Sequence, residues 1–142
     1  VRVSLGADGA PCNNALDIFR EMRLAALIQK PRLGTKALTS GEVLEMATVE
    51  GAAATGLSDT CGSIELGKFA DFVVVDPNHP TICPQEDPVV AAVYSLSPAA
   101  IVSVWVEGVP VVEHGTVLGW DAEETAKGAR EALLRVRRTA GL

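Results

Sequence analysis

The chain has 142 residues, 48% of them hydrophobic but only 4% aromatic, which is the size and composition of one ordinary soluble domain rich in Ala and Val. Its formal net charge of -6 excludes a nucleic-acid surface, which needs clustered Lys and Arg, and the one basic cluster, Arg135, Arg137 and Arg138, reads as a helix end complementing its dipole. Cys12, Cys61 and Cys83 lie far apart with no C-x-x-C pair, so neither a zinc knuckle nor a disulfide framework is expected, and a reducing, cytoplasmic setting fits.

The opening Val1-Arg2-Val3-Ser4 has neither an initiator Met nor the layout of a signal peptide, and it reads as a cut end. Arg2 to Leu5 is β-prone and is expected to be a buried strand that breaks at Gly6 and delivers Asp8 into a glycine-flanked loop. Residues at the C-terminal ends of parallel strands form the active-site face of βα architectures, which makes Asp8 the candidate chemical residue. The plainer reading of Gly-Ala-Asp-Gly is a turn in which Asp bonds its own backbone and Gly supplies the positive φ.

Leu16 to Lys30 holds good helix formers with no Gly or Pro before Pro31, and its apolar residues occupy more than one face, so this helix wants cover on two sides. Thr39-Ser40-Gly41-Glu42 is a capping-box pattern that opens a second helical region, about Ser40 to Thr55, stopped by Gly56. Its Ala and Gly content points to close packing on a neighbour. From residue 58 the texture changes to short β segments: Ser63 to Leu66, Asp71 to Asp76, Ile101 to Val106 and Val109 to Glu113, with Glu107-Gly108 as a tight hairpin between the last two.

Val89 to Val106 runs 18 residues without a charge, the lower limit for a membrane span. Pro98 in its middle and the β-prone run after it argue instead for helix, turn, strand, and no membrane partner. Asp121-Ala122-Glu123-Glu124 then caps a terminal amphipathic helix. Small or apolar residues recur at Ala122, Ala126, Ala129, Leu133 and Val136, with Glu123/Lys127 and Glu131/Arg135 paired at i,i+4, and the helix is expected to dock on something.

Five strings, in order, cover nearly the whole chain: S-L-G-A-D-G-A-P-C-N-N, L-D-I-F-R-E-M-R-L-A-A-L, V-L-E-M-A-T-V-E-G-A, G-S-I-E-L-G-K-F-A-D-F-V-V-V-D and V-W-V-E-G-V-P-V-V. Together they resemble the C-terminal part of the amidohydrolase superfamily, in the cytosine deaminase-like branch that includes chlorohydrolases, guanine deaminases and adenosine-type deaminases. The resemblance implies a mixed α and β fold. Residues 1–57 would hold the last strand, catalytic-type loop and closing helices of a metal-dependent (β/α)₈ barrel, 58–118 the C-terminal share of a composite β-sandwich, and 119–142 a terminal helix packing back.

By the same resemblance Asp8 aligns with the strand-eight aspartate that contacts the metal and its water. A divalent ion, Zn or Fe in the full-length family, lowers the pKa of bound water, and a nearby carboxylate takes its proton and passes it to the leaving group. The implied substrate is a small heterocyclic amine, losing ammonia or halide. Asn13 and Asn14 line the implied substrate pocket or, equally well, form a turn and cap the Leu16 helix.

The family's His-x-His motif and its strand-five and strand-six histidines would precede Val1. His79 and His114 lie outside any ligand spacing and read as exposed loop residues. Asp71 and Asp76 read as strand-end groups, and Cys12 has no neighbouring His to activate it. The chain is thus expected to carry one active-site residue of a deaminase-type hydrolase, to bind no metal and to be inactive alone. Two alternatives stay open: a non-catalytic module that self-associates through its unpaired strand and two-faced helix, and one half of a split enzyme completed by a separate barrel half.

Overall fold

A computed structural model describes residues 2–141. The elements are α1 (Ile18–Ile28), α2 (Lys30–Leu33), α3 (Ser40–Ala47), α4 (Val49–Thr55), β1 (Phe72–Val75), α5 (Pro88–Tyr94), a 3₁₀ turn at Pro98–Ala100, β2 (Ile101–Val106), β3 (Val109–Glu113), β4 (Thr116–Val117) and α6 (Ala122–Ala140).

The helical part is built on the pattern read from the sequence, with two adjustments. The first helix starts at Ile18 rather than Leu16, because the Asp17 side chain accepts the Phe19 N–H at 3.0 Å and caps it. The capping box forms as expected: Thr39 accepts from the Glu42 N–H, and Glu42 accepts from the Thr39 N–H at 2.7 Å. The following helical region is divided at Thr48, whose hydroxyl donates back to the Leu44 carbonyl at 2.7 Å and whose ψ of -92° interrupts the turn.

Helices α1, α3 and α5 meet in a core of Met22, Ala26, Val43 and Val93, against which Leu5, Phe19 and Tyr94 pack. Only one face of α1 is covered, since Leu24, Leu27 and Ile28 remain exposed. The close approach expected of the Ala and Gly residues is met at Ala52, whose Cβ lies 2.7 Å from where a Cβ on Gly62 would stand.

The β part is one antiparallel sheet in the order β1-β2-β3-β4. Phe72 sits opposite Trp105, and their rings stack with centroids 5.7 Å apart. Glu107 and Gly108, at φ 51° and 78°, make the expected tight turn with both residues in the left-handed region. A second two-residue turn, His114-Gly115 at φ 48° and 75°, adds β4, which the sequence reading did not include. A smaller cluster of Ile82, Ala91 and Ala100 joins α5 to the sheet through Val75.

Four expectations are corrected. Arg2 to Leu5 forms no strand and is largely exposed, because no strand among the described residues pairs with it. Ser63 to Leu66 is a loop: Lys68 Nζ donates to Ser63 Oγ at 2.6 Å and lies 3.4 Å from Glu65, and Ser63 bonds Glu65, which folds the segment onto itself and leaves Ile64 and Leu66 exposed. The terminal helix has no buried residue and does not pack back on the rest of the described residues. Its Glu123/Lys127 and Glu131/Arg135 pairs are not closed ion pairs; those among the described residues are Arg2–Glu50, Arg20–Asp17 and Lys68–Glu65. Among the described residues no helix is long and apolar enough to cross a membrane, and Val89 to Val106 resolves into α5, the 3₁₀ turn and β2.

Candidate functional site

The opening segment is held at two points. Leu5 donates its N–H to the Met46 carbonyl in the last turn of α3 at 3.2 Å, and its side chain packs on the helical core. Arg2 Nε lies 4.0 Å from Glu50 Oε2 on α4. That contact is an ion pair without a hydrogen bond, and it leaves this buried carboxylate oxygen with no donor.

Beyond Leu5 the chain turns at Asp8, which is exposed and sits at φ 57°. Its Oδ1 accepts the Gly9 N–H at 2.7 Å, and the Gly9 carbonyl then accepts from Cys12 at 2.9 Å and Asn13 at 3.0 Å. The turn expected here is present, but Asp8 rather than a glycine adopts the positive φ. A Cβ on Gly6 would meet nothing within 4 Å. Asp is among the residues that tolerate the left-handed region, and it does so at some cost that the loop must offset.

Asn13 and Asn14 separate. Asn13 is half-buried and fully engaged: its Nδ2 donates to Glu21 Oε1 on α1 at 2.6 Å, and its Oδ1 accepts the Ala15 N–H at 3.1 Å. It therefore brackets the loop to α1, while the helix cap expected of it falls to Asp17. Asn14 is exposed and lines an open cleft of ≈ 580 Å³ with Leu16, Asp17, Phe19, Arg20 and Pro98. The signal for Asp17 was legible as Asp-Ile-Phe-Arg, an Asp directly before the apolar period. Glu21 as the Asn13 partner had none, because the pairing depends on how the loop folds over the first turn of α1.

The remaining candidates fall where strand-end and loop residues belong. Asp71 Oδ1 accepts the Glu107 N–H at 2.6 Å and closes the β2–β3 turn, and Asp76 Oδ1 accepts the Asn78 N–H at 2.9 Å. His114 is exposed in its turn, whereas His79 is half-buried, with Nδ1 2.8 Å from Thr81 Oγ1. The three cysteines are free. Among the described residues no group of three His, Cys, Asp or Glu side chains is placed to hold a metal ion. Asp8 offers one carboxylate with one oxygen already accepting, so the residues present do not fit a metal by themselves.

A family model described as the amidohydrolase family matches residues 1–111. A 5-methylthioadenosine/S-adenosylhomocysteine deaminase of Desulforudis audaxviator is 42% identical over 137 residues, which are 96% of this chain and 32% of that protein. A 5'-deoxyadenosine deaminase of Methanobrevibacter smithii is 38% identical over 92% of this chain and 31% of its own length. The structure of an adenosine deaminase from Xanthomonas campestris with bound zinc superposes with a TM-score of 0.93 at 33% identity, over 97% of this chain and 32% of that one. The chain thus spans about a third of the length of the curated relatives it matches.

Proposed function

The chain belongs to the amidohydrolase family, and from that premise we propose that it is the C-terminal portion of a deaminase-type enzyme, contributing Asp8 as the proton-transferring carboxylate of a hydrolytic deamination. The observation that carries this reading is the 42% identity to a 5-methylthioadenosine/S-adenosylhomocysteine deaminase over 96% of the chain. The substrate class would be a small heterocyclic amine of the adenosine type, with Asn14, at its cleft, on the substrate side. Asn13 would act as a positioning residue, holding the Asp8 loop to α1 through Glu21.

The chemistry asked of Asp8 is simple. Hydrolytic deamination adds water to the ring carbon that bears the amino group, and the departing nitrogen needs a proton. A carboxylate at that point accepts the proton from the attacking water and delivers it to the leaving amine, so one group serves both steps and is regenerated. Asp8 is exposed, and one of its oxygens is engaged only by the neighbouring Gly9 N–H, which leaves the other free to exchange a proton. Any metal in the complete site would take its other ligands from outside this chain, which matches the zinc reported for the adenosine deaminase but rests on residues this chain does not contain. In the same frame, residues 1–57 would complete a barrel, 58–118 a sandwich and 119–142 a terminal helix.

The test is a graft. Replacing the matching segment of the Desulforudis deaminase with this chain should give a chimera that releases ammonia from 5-methylthioadenosine, while the 142-residue chain alone releases none. Asp8→Asn in the chimera should lower kcat by about 10²- to 10⁴-fold with zinc content retained. A folded, zinc-loaded chimera whose rate is indifferent to Asp8→Asn overturns the assignment.

A further inference from the structure

We propose that Glu21 is a further positioning residue of the deamination: its carboxylate fixes the Asn13 amide in one orientation and so sets where the Asp8 loop stands on α1. The inference rests on the role proposed for Asp8 and concerns how that carboxylate is held. Among the described residues, the bond from Asn13 Nδ2 to Glu21 Oε1 at 2.6 Å is the one hydrogen bond that leaves residues 6–16 for a regular element. Both residues are half-buried, which strengthens the bond relative to one made in open water.

The two ends of the Asn13 amide face groups of opposite kind. Glu21 Oε1 belongs to a carboxylate, which only accepts, whereas the Ala15 N–H, which only donates, reaches Asn13 Oδ1 at 3.1 Å. Turning the amide over would set oxygen against oxygen and N–H against N–H. A neutral amide at position 21 could rotate to suit either orientation, so it is the carboxylate that makes the choice.

From Asn13 the bonds run back to the chemical group. Its own N–H donates to the Gly9 carbonyl at 3.0 Å, and the Gly9 N–H donates to Asp8 Oδ1 at 2.7 Å. One series of contacts thus joins the first turn of α1 to Asp8, whose φ of 57° is a conformation that needs such support. On its other side the loop is tied through Leu5 to α3. Releasing the Asn13 end leaves Asp8 fixed on one side only, which misplaces a proton-transferring oxygen without removing it.

The experiment exchanges the two groups. Asn13→Asp sets a second carboxylate oxygen where Nδ2 stood, 2.6 Å from Glu21 Oε1, while still accepting the Ala15 N–H. Adding Glu21→Gln supplies the donor from the other side and rebuilds the bond in reverse. In the Desulforudis chimera, Asn13→Asp should lower kcat per bound zinc about 10- to 100-fold with KM held within about twofold. The double variant should return to within about threefold of the original. Loss of fold alone would lower zinc content and leave kcat per zinc unchanged, and it predicts that the two changes add. In the 142-residue chain, amide exchange at Gly9 and Asn13 should quicken about tenfold in Asn13→Asp and slow again in the double variant, a readout independent of activity. A rate unmoved by Asn13→Asp, a double variant as slow as the single one, or exchange indifferent to both changes overturns the inference while Asp8→Asn still slows the chimera. A chimera indifferent to Asp8→Asn instead overturns the proposed function, and this inference with it.

Discussion

Strand β2 and the opening segment Arg2–Leu5 are both short and β-prone, yet β2 has β1 on one side and β3 on the other, while the opening segment has, among the described residues, one backbone hydrogen bond, from Leu5 to Met46. The side chains are comparable, and the difference lies in the backbone. A strand is stable only when its N–H and C=O groups meet those of a neighbour, and β propensity without a partner leaves them to water. The opening segment is therefore placed by its ends, through Leu5 and Arg2, and the Asp8 loop that follows inherits whatever rigidity those tethers supply.

The largest break in this comparison comes from the anchor itself. Leu5→Ala removes the half-buried side chain that seats the opening segment on the cluster of Met22, Ala26, Val43 and Val93. It should cost about 2 kcal/mol, at the low end for Leu→Ala because the site is only partly enclosed. Urea unfolding checks this. A loss below about 0.5 kcal/mol, within the scatter of surface substitutions, would mean that the segment is not anchored and that Asp8 has no fixed place.

Two glycines sharpen the contrast at about half that size. Gly108 holds φ 78° in the turn that joins β2 to β3, so Gly108→Ala should lose about 1 kcal/mol from backbone strain. Gly6 has an ordinary φ and open space where a Cβ would stand, so Gly6→Ala should be neutral or gain up to about 0.5 kcal/mol. Equal losses at the two positions would show that the opening segment is as conformationally constrained as the hairpin.

What could be read from the residues divides along the same line. The capping box at Thr39, the stop at Gly56, the Glu107-Gly108 turn and the strands on either side of it are local signals, each decided within a few residues, and each is found where expected. Arg2–Leu5 and Ser63–Leu66 form no strand and α6 stays exposed among the described residues, because pairing and docking depend on a distant partner that local pattern does not contain. The site divides likewise. Asp8 in a turn was legible from Gly-Ala-Asp-Gly, whereas the transfer of the positive φ to Asp8 and the Asn13–Glu21 bond depend on how the loop lies over α1.

A smaller effect, of the opposite sign, is expected at Asp8. A non-glycine residue at φ 57° carries a cost that glycine does not, so Asp8→Gly should raise stability by about 0.5 kcal/mol, even though it removes the bond to the Gly9 N–H. Thermal melts of Asp8→Gly and Asp8→Asn, compared with the original chain, separate the backbone from the side chain. A destabilised Asp8→Gly would mean that the carboxylate's bond to the Gly9 N–H outweighs the backbone cost and holds the turn.

The smallest effect is in acid, and it reaches the opening segment through α3, whose Met46 carbonyl is its backbone tether. Glu42 accepts the backbone N–H and the hydroxyl of Thr39, with Lys30 adding a favourable charge, and these hold its carboxyl below the ordinary 4.5. A carboxylate whose folded-state pKa is depressed contributes stability that is fully present above its unfolded pKa and is lost as the pH falls through the folded one. The capping contribution should therefore be intact at neutral pH and fade only below pH 4.5. Glu42→Gln, which keeps the side-chain shape but not the charge, should melt below the original chain at pH 7, and the gap should close as the pH falls from 4.5 through the lowered folded-state value. A gap that stays constant through that range would place the value of the box in its hydrogen-bond geometry alone, with the charge contributing nothing.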